Sequence, residues 1–205
     1  MASTQPTEQN GDGGTDLSVP FNQPRPILII VMGPASCGKS TIGRDLSHAL
    51  SLPFLDGDTL HPQSNIDKMS KGVPLTDDDR LPWLALIRST AERICKDQHE
   101  NDHVLHKAAG GLGRTGVIIA CSALKKWYRD ILRGAIEAMP PEIHDLGHFM
   151  GAKMLESQLA TLEDPQNENG VTTVEIDQKQ EDVARHAETN IKALVREEVE
   201  HLDRG

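Results

Sequence analysis

Gly33-Pro34-Ala35-Ser36-Cys37-Gly38-Lys39-Ser40-Thr41 is the stretch that decides the fold. It matches G-x-x-x-x-G-K-[ST], a loop whose backbone N–H groups cradle phosphates. Immediately upstream, Ile27-Leu28-Ile29-Ile30-Val31-Met32 is an apolar, β-branched run of the kind that forms a buried strand. Downstream, Ile42, Leu46, Ala49 and Leu50 recur at helical spacing. Strand, loop and helix therefore stand in the order the motif requires. A helix N-terminus presents unpaired N–H donors and partial positive charge, so a polyphosphate suits the place. Lys39 is expected to reach the β- and γ-phosphates, and the Ser40 hydroxyl to sit on Mg²⁺. A Gly-rich turn without a ligand is the alternative.

The rest of the chain narrows the class. Its 205 residues suffice for one α/β domain with a real core. A net charge of −10, with no Lys/Arg block, argues against a nucleic-acid surface. No apolar run is long enough to span a bilayer, so a membrane role is not expected. Residues 1–24 are rich in Gln, Thr, Gly and Asp and lack a signal-like apolar segment; a disordered tail is expected there, with the folded domain over 25–205. Cys37, Cys95 and Cys121 have no metal-ligand spacing, and their odd number suits a reducing compartment, the cytoplasm.

Along the chain, residues 53–58 read as a second strand whose C-terminal end faces the phosphate loop, and 64–70 as a short helix. Thr76 and Asp79 have capping-box spacing, with Pro82 expected in the tolerated first turn. Trp83, Leu84, Leu86, Ile87, Ala91 and Ile94 form an apolar stripe that predicts a helix ending near Asp97. Residues 98–115 read as a loop, and 117–122 as a strand. A helix carrying Lys125, Lys126, Arg129 and Arg133 follows. Beyond it, 153–162 predicts a helix, 171–176 a strand and 181–202 a closing helix. Alternating strands and helices predict a parallel sheet with ligands at the strands' carboxyl ends.

Asp56 and Asp58 occupy alternate positions, so on a strand they would share one face. Two adjacent acids repel unless a cation or proton separates them, and a magnesium ion beside a phosphate loop supplies that cation. Asp-Gly-Asp is also good turn chemistry, which is the alternative. Asp77-Asp78-Asp79 reads as charge at a helix N-terminus, and Trp83 as core.

Several blocks together resemble the gluconokinases of the shikimate-kinase-like group. They are Gly33–Thr41, Phe54–Pro62, the Asn65-Ile66-x-Lys68-Met69 run, Pro74–Leu84, Cys121–Asp130, Gly147–Met150 and Ser157–Glu163. The resemblance implies a three-layer P-loop kinase core, a mostly parallel sheet flanked by helices. It further implies transfer of the γ-phosphoryl group of ATP to the 6-hydroxyl of D-gluconate, and a possible homodimer. Carried onto this chain, Lys39, Asp58 and Lys125 are the catalytic candidates. Asp58, His61, Arg80, Lys125, Arg129 and His148 are the substrate candidates, with Ser40 and, through water, Asp56 at Mg²⁺. Shikimate and adenylylsulfate kinases, or a nucleotide-binding module without transfer, are the rivals.

The chain departs from that pattern in one place. Residues 134–146 contain Pro140-Pro141 and no apolar strand, and no arginine occurs between Arg133 and Arg185. One strand and an arginine-bearing lid are therefore expected to be missing, leaving the first strand to pair with the last or stay open. Guanidinium groups at a transferring phosphoryl are worth about three to five orders of magnitude in rate. ATP binding is accordingly expected to survive better than catalysis, and stability to be low.

Overall fold

The computed structural model describes residues 25–100, 111–135 and 154–202. The expected tail, much of the 98–115 loop, and the strand-and-lid region with His148 lie outside the described residues. The elements run β1 (Ile27–Val31), α1 (Lys39–Leu50), β2 (Phe54–Asp56), a 3₁₀ turn (Gly57–Leu60), α2 (Gln63–Ser70), α3 (Asp77–Glu100), β3 (Gly116–Ala120), α4 (Lys126–Arg133), α5 (Met154–Thr161) and α6 (Gln180–Leu202).

Three strands form a parallel sheet in the order β1-β3-β2. Ile27 pairs with Gly116 and Val31 with Ala120, while Phe54 pairs with Ile118 and Asp56 with Ala120. β3 is central and buried at every position. Its side chains alternate: Val117 and Ile119 enter one core with Trp83, Leu84, Ile87, Ala91, Ile131 and Leu132, whereas Ile118 enters a second with Ile42, Leu46, Leu50, Val183 and Ala187. The period-2 alternation of strands thus meets helical stripes on both faces, giving three layers with α3 and α4 on one side and α1 and α6 on the other.

α3 begins as its sequence predicts. Thr76 N–H donates to Asp79 Oδ2 at 2.9 Å, and Asp79 N–H returns to Thr76 Oγ1 at 3.3 Å, a capping box with Asp in the Glu position. Pro82 lies one turn deeper than expected, and the helix runs three residues past Asp97. α4 stops at Gly134, whose φ of 76° is the left-handed cap glycine supplies at least cost.

Two expectations are corrected. β2 ends at Asp56, because the Asp56 side chain accepts the Asp58 N–H at 3.1 Å and turns the chain into the 3₁₀ segment. Asp58 therefore sits on that turn, and the two carboxylates are not alternate residues of a strand. Residues 171–176 form no strand. A strand needs a ladder partner, and among the described residues β1 pairs only with β3. Val174 instead packs its side chain onto the α1–α6 core.

Candidate active site

The sheet delivers the phosphate loop and the turn after β3 to the same edge. Cys121 N–H donates to Val31 O at 3.1 Å and Gly33 N–H to Ser122 O at 3.3 Å, so pairing continues past both strand ends. Gly38 then takes φ 91°, a left-handed conformation that costs any residue with a Cβ, and hands the chain to α1. The first turn of α1 carries no acid and no side-chain cap, which leaves its positive end for an anion. Lys39 Nζ folds back to Pro34 O at 2.8 Å, closing the loop around its own backbone. Ala35 N–H donates to the Gln158 side-chain oxygen at 2.5 Å, a contact across the fold from α5.

Ser40 Oγ donates to Asp56 Oδ2 at 2.7 Å. The other Asp56 oxygen accepts the Asp58 N–H, so both oxygens are fixed by the loop and the 3₁₀ turn. The Asp58 carboxylate itself is 76% exposed and stands 4.0 Å from His61 Nε2. Gly57 makes this turn possible: a Cβ there would lie 2.6 Å from Ala120 O.

His61 stacks on Trp83 with centroids 4.1 Å apart and planes 13° from parallel. Trp83 Nε1–H donates to Gly57 O at 2.8 Å, tying α3 to the turn and confirming the ring as core rather than a sugar platform. Burial lowers the His61 pKa, Asp58 opposes the shift and Arg80 adds to it. Buried Asn65 donates to Asp79 O at 2.8 Å and lies 3.3 Å from His61 Nδ1. With Asn65 so oriented, Nδ1 is the acceptor, and the proton of the neutral ring is on Nε2, toward Asp58.

The substrate candidates divide. Lys125 Nζ donates to Asp77 Oδ2 at 2.8 Å and Oδ1 at 3.2 Å, Tyr128 Oη donates to Asp77 Oδ1, and Arg80 Nη1 stands 3.9 Å from the same carboxylate. Lys125 and Arg80 are thus brought together, with His61 in the electrostatic reach of Arg80. Arg129 is not brought to them. It is buried, donates to Ala123 O, Leu124 O and Glu163 O at 2.9, 3.0 and 3.1 Å, and pairs with Glu168. It clamps the turn that carries Lys125 onto the segment after α5, where Glu163 N–H in turn donates to Leu124 O. Ala123 in that turn has φ 43°, strain of the sort held at functional sites by surrounding contacts.

Asp77 is the residue that sequence reasoning missed. As one of three acids it reads as helix-end charge. Yet it precedes buried Leu84 by seven residues and Arg80 by three, so it lies on the buried stripe, which was the available signal. Gln158 gave no such signal, since its contact spans 123 residues of chain.

The donor set fits a phosphate-bound Mg²⁺. Among the described residues no group of three or more His, Cys, Asp or Glu side chains could hold a metal alone. Magnesium in phosphoryl-transfer sites takes one or two protein oxygens and completes its shell with phosphate and water, which is what Ser40 and Asp56 offer.

A phosphate loop on a parallel sheet, a Ser–Asp pair beside it and Lys125 and Arg80 gathered on Asp77 fit a P-loop small-molecule kinase, a phosphotransferase with an alcohol acceptor. Comparison with known proteins agrees. The family model described as shikimate kinase matches residues 35–74. A probable gluconokinase of Schizosaccharomyces pombe is 35% identical over 180 residues, covering 79% of this chain and 86% of that protein. The gluconokinase of Gluconobacter oxydans is 39% identical over 163 residues, 73% and 83% of the two chains. The crystal structure of a gluconokinase from Sinorhizobium meliloti superposes with a TM-score of 0.63 at 34% identity, covering 85% of this chain and 95% of that one. The chain belongs to the gluconokinase family.

Proposed function

We propose that this protein transfers the γ-phosphoryl group of ATP to the 6-hydroxyl of D-gluconate. The observation that carries the reading is the Ser40–Asp56 bond of 2.7 Å, at the phosphate loop of a gluconokinase-family chain. In the 33–41 loop, N–H groups from Ala35 to Thr41 and the Lys39 ammonium bind the β- and γ-phosphates and neutralise their charge as the transferring group leaves. Ser40 and Asp56 would hold Mg²⁺, which when bound would supply positive charge to the phosphates.

Asp58, exposed at the mouth and flanked by His61 Nε2–H, accepts or orients the proton of the attacking hydroxyl. Arg80 and Lys125 present cations to the substrate's carboxylate, and His61 a hydrogen bond to its hydroxyls. His148 contributes to the same subsite by resemblance, and Arg129 acts on it through the Lys125 turn. The free thiols of Cys37, Cys95 and Cys121 support a cytoplasmic setting. A homodimer is the assembly the resemblance implies.

A coupled assay of ADP release with and without D-gluconate tests the reading; gluconate-dependent turnover supports it, and turnover preferring shikimate or adenylylsulfate removes it. One observation favours a second reading, a nucleotide-binding form with weak transfer: no arginine lies between Arg133 and Arg185 to serve as a lid cation. Mg·ATP binding without phosphorylation of any sugar acid decides for that alternative.

A further inference from the structure

A buried carboxylate beneath the substrate cations has no part in the mechanism as stated. Asp77 is 2% exposed and receives three groups from two other places in the chain. Lys125 donates to both of its oxygens, Tyr128 donates to Oδ1, and Arg80 lies 3.9 Å away while its own Nη1 donates to Leu75 O at 2.6 Å. An ammonium on four methylenes loses much rotamer freedom when it binds a ligand, and a bidentate anchor removes that freedom in advance. Placing the anchor at the N-terminal turn of α3, which also holds the His61–Trp83 stack, ties the cation to the turn bearing Asp58.

We propose that Asp77 is a positioning residue for the acceptor: its carboxylate holds Lys125 beside Arg80, so that the cations read an acid group at one end of the substrate while the hydroxyl at the other end reacts. The inference rests on the sugar-acid reading above and deepens it. Asp77 acts through Lys125 and touches neither nucleotide nor substrate. Selectivity for an acid over a neutral polyol is therefore where its loss is felt.

The test measures dissociation constants of D-gluconate, of D-glucitol (CH₂OH in place of the carboxylate) and of Mg·ATP, for the full chain and for Asp77→Asn, Lys125→Gln and the double variant. In the unaltered protein gluconate binds more tightly than glucitol. Asp77→Asn is expected to weaken gluconate by about ten- to a hundredfold, the worth of a charge-assisted contact, with glucitol and Mg·ATP unchanged. Because both residues act as one unit, the double variant is expected to lose no more than Lys125→Gln alone. Additive losses, or equal weakening of gluconate, glucitol and Mg·ATP, overturn the proposal. Should Asp77→Asn not fold, Tyr128→Phe probes the same anchor; a selective loss for gluconate sustains the proposal and no change sinks it. If the unaltered chain binds Mg·ATP but not gluconate, the sugar-acid reading fails first and takes this inference with it.

Discussion

Ser40 and Asp56, sixteen residues apart, meet in a 2.7 Å hydrogen bond because β1 and β2 flank β3 in one parallel sheet and both end at the same edge. The hydroxyl opens α1 and the carboxylate closes β2. Neither element alone brings a hydroxyl and a carboxylate together; the parallel register does.

Replacing Ser40 with Ala removes the hydroxyl while leaving the loop backbone intact. Turnover is expected to fall about a hundredfold or more, as removal of one preorganised electrostatic group does elsewhere, with the Mg²⁺ concentration for half-maximal rate rising. A titration of rate against Mg²⁺ checks this. An unaltered magnesium dependence removes Ser40 from the site.

Gln158 occupies the Ala35 N–H, one of the loop amides proposed to bind phosphate. Gln158→Ala is therefore expected to tighten Mg·ATP by about two- to tenfold, the net worth of one hydrogen bond. Isothermal calorimetry reads it. A weaker complex instead assigns the carboxamide to the nucleotide's own contacts.

Glu168 contributes acid sensitivity to the fold. Hydrogen bonds from Arg129, then Arg133, hold its carboxyl down to about 2 against the usual 4.5, despite opposing desolvation. A folded-state pKa below the unfolded one means the unfolded chain takes the proton first, so stability is full above pH 4.5 and is lost as pH falls from there toward 2. Melting temperature across that window is expected to drop more steeply in the natural chain than in Glu168→Gln, which starts lower and lacks this limb. Parallel curves contradict the assignment.

Gly57→Ala tests the coupling of core to site. Its Cβ would meet Ala120 O at 2.6 Å, so the 3₁₀ turn shifts and takes Asp58 and His61 with it. Gluconate-dependent turnover is expected to fall about a hundredfold, since about 1 Å of misplacement costs that much. Mg·ATP affinity changes little. Thermal melting and ATP binding measured alongside separate displacement from unfolding.

The sequence carried its local signals faithfully. The 33–41 loop and the Thr76–Asp79 box each depend on neighbours a few residues away, and each lies where its spacing puts it. Long-range partnerships were less legible. Residues 171–176 have strand-like composition without a ladder partner among the described residues; Asp-Gly-Asp, by contrast, allowed strand or turn, and the local Asp56 cap decided for the turn. Arg129 reads as a solvated or substrate cation, but three carbonyls and Glu168, all set by tertiary packing, draw it inward. Asp77 shows the same rule in reverse: a residue typical of helix ends became the centre of a buried cluster through contacts 48 and 51 residues away.

The most direct measurement is gluconate-dependent ADP release by the full chain beside Asp58→Asn, with Mg·ATP binding followed on both. Turnover that needs gluconate and disappears in the variant, while both proteins bind Mg·ATP alike, is the predicted result. Equal turnover in the two proteins, or no heat with millimolar Mg·ATP on folded material, contradicts the account at its root.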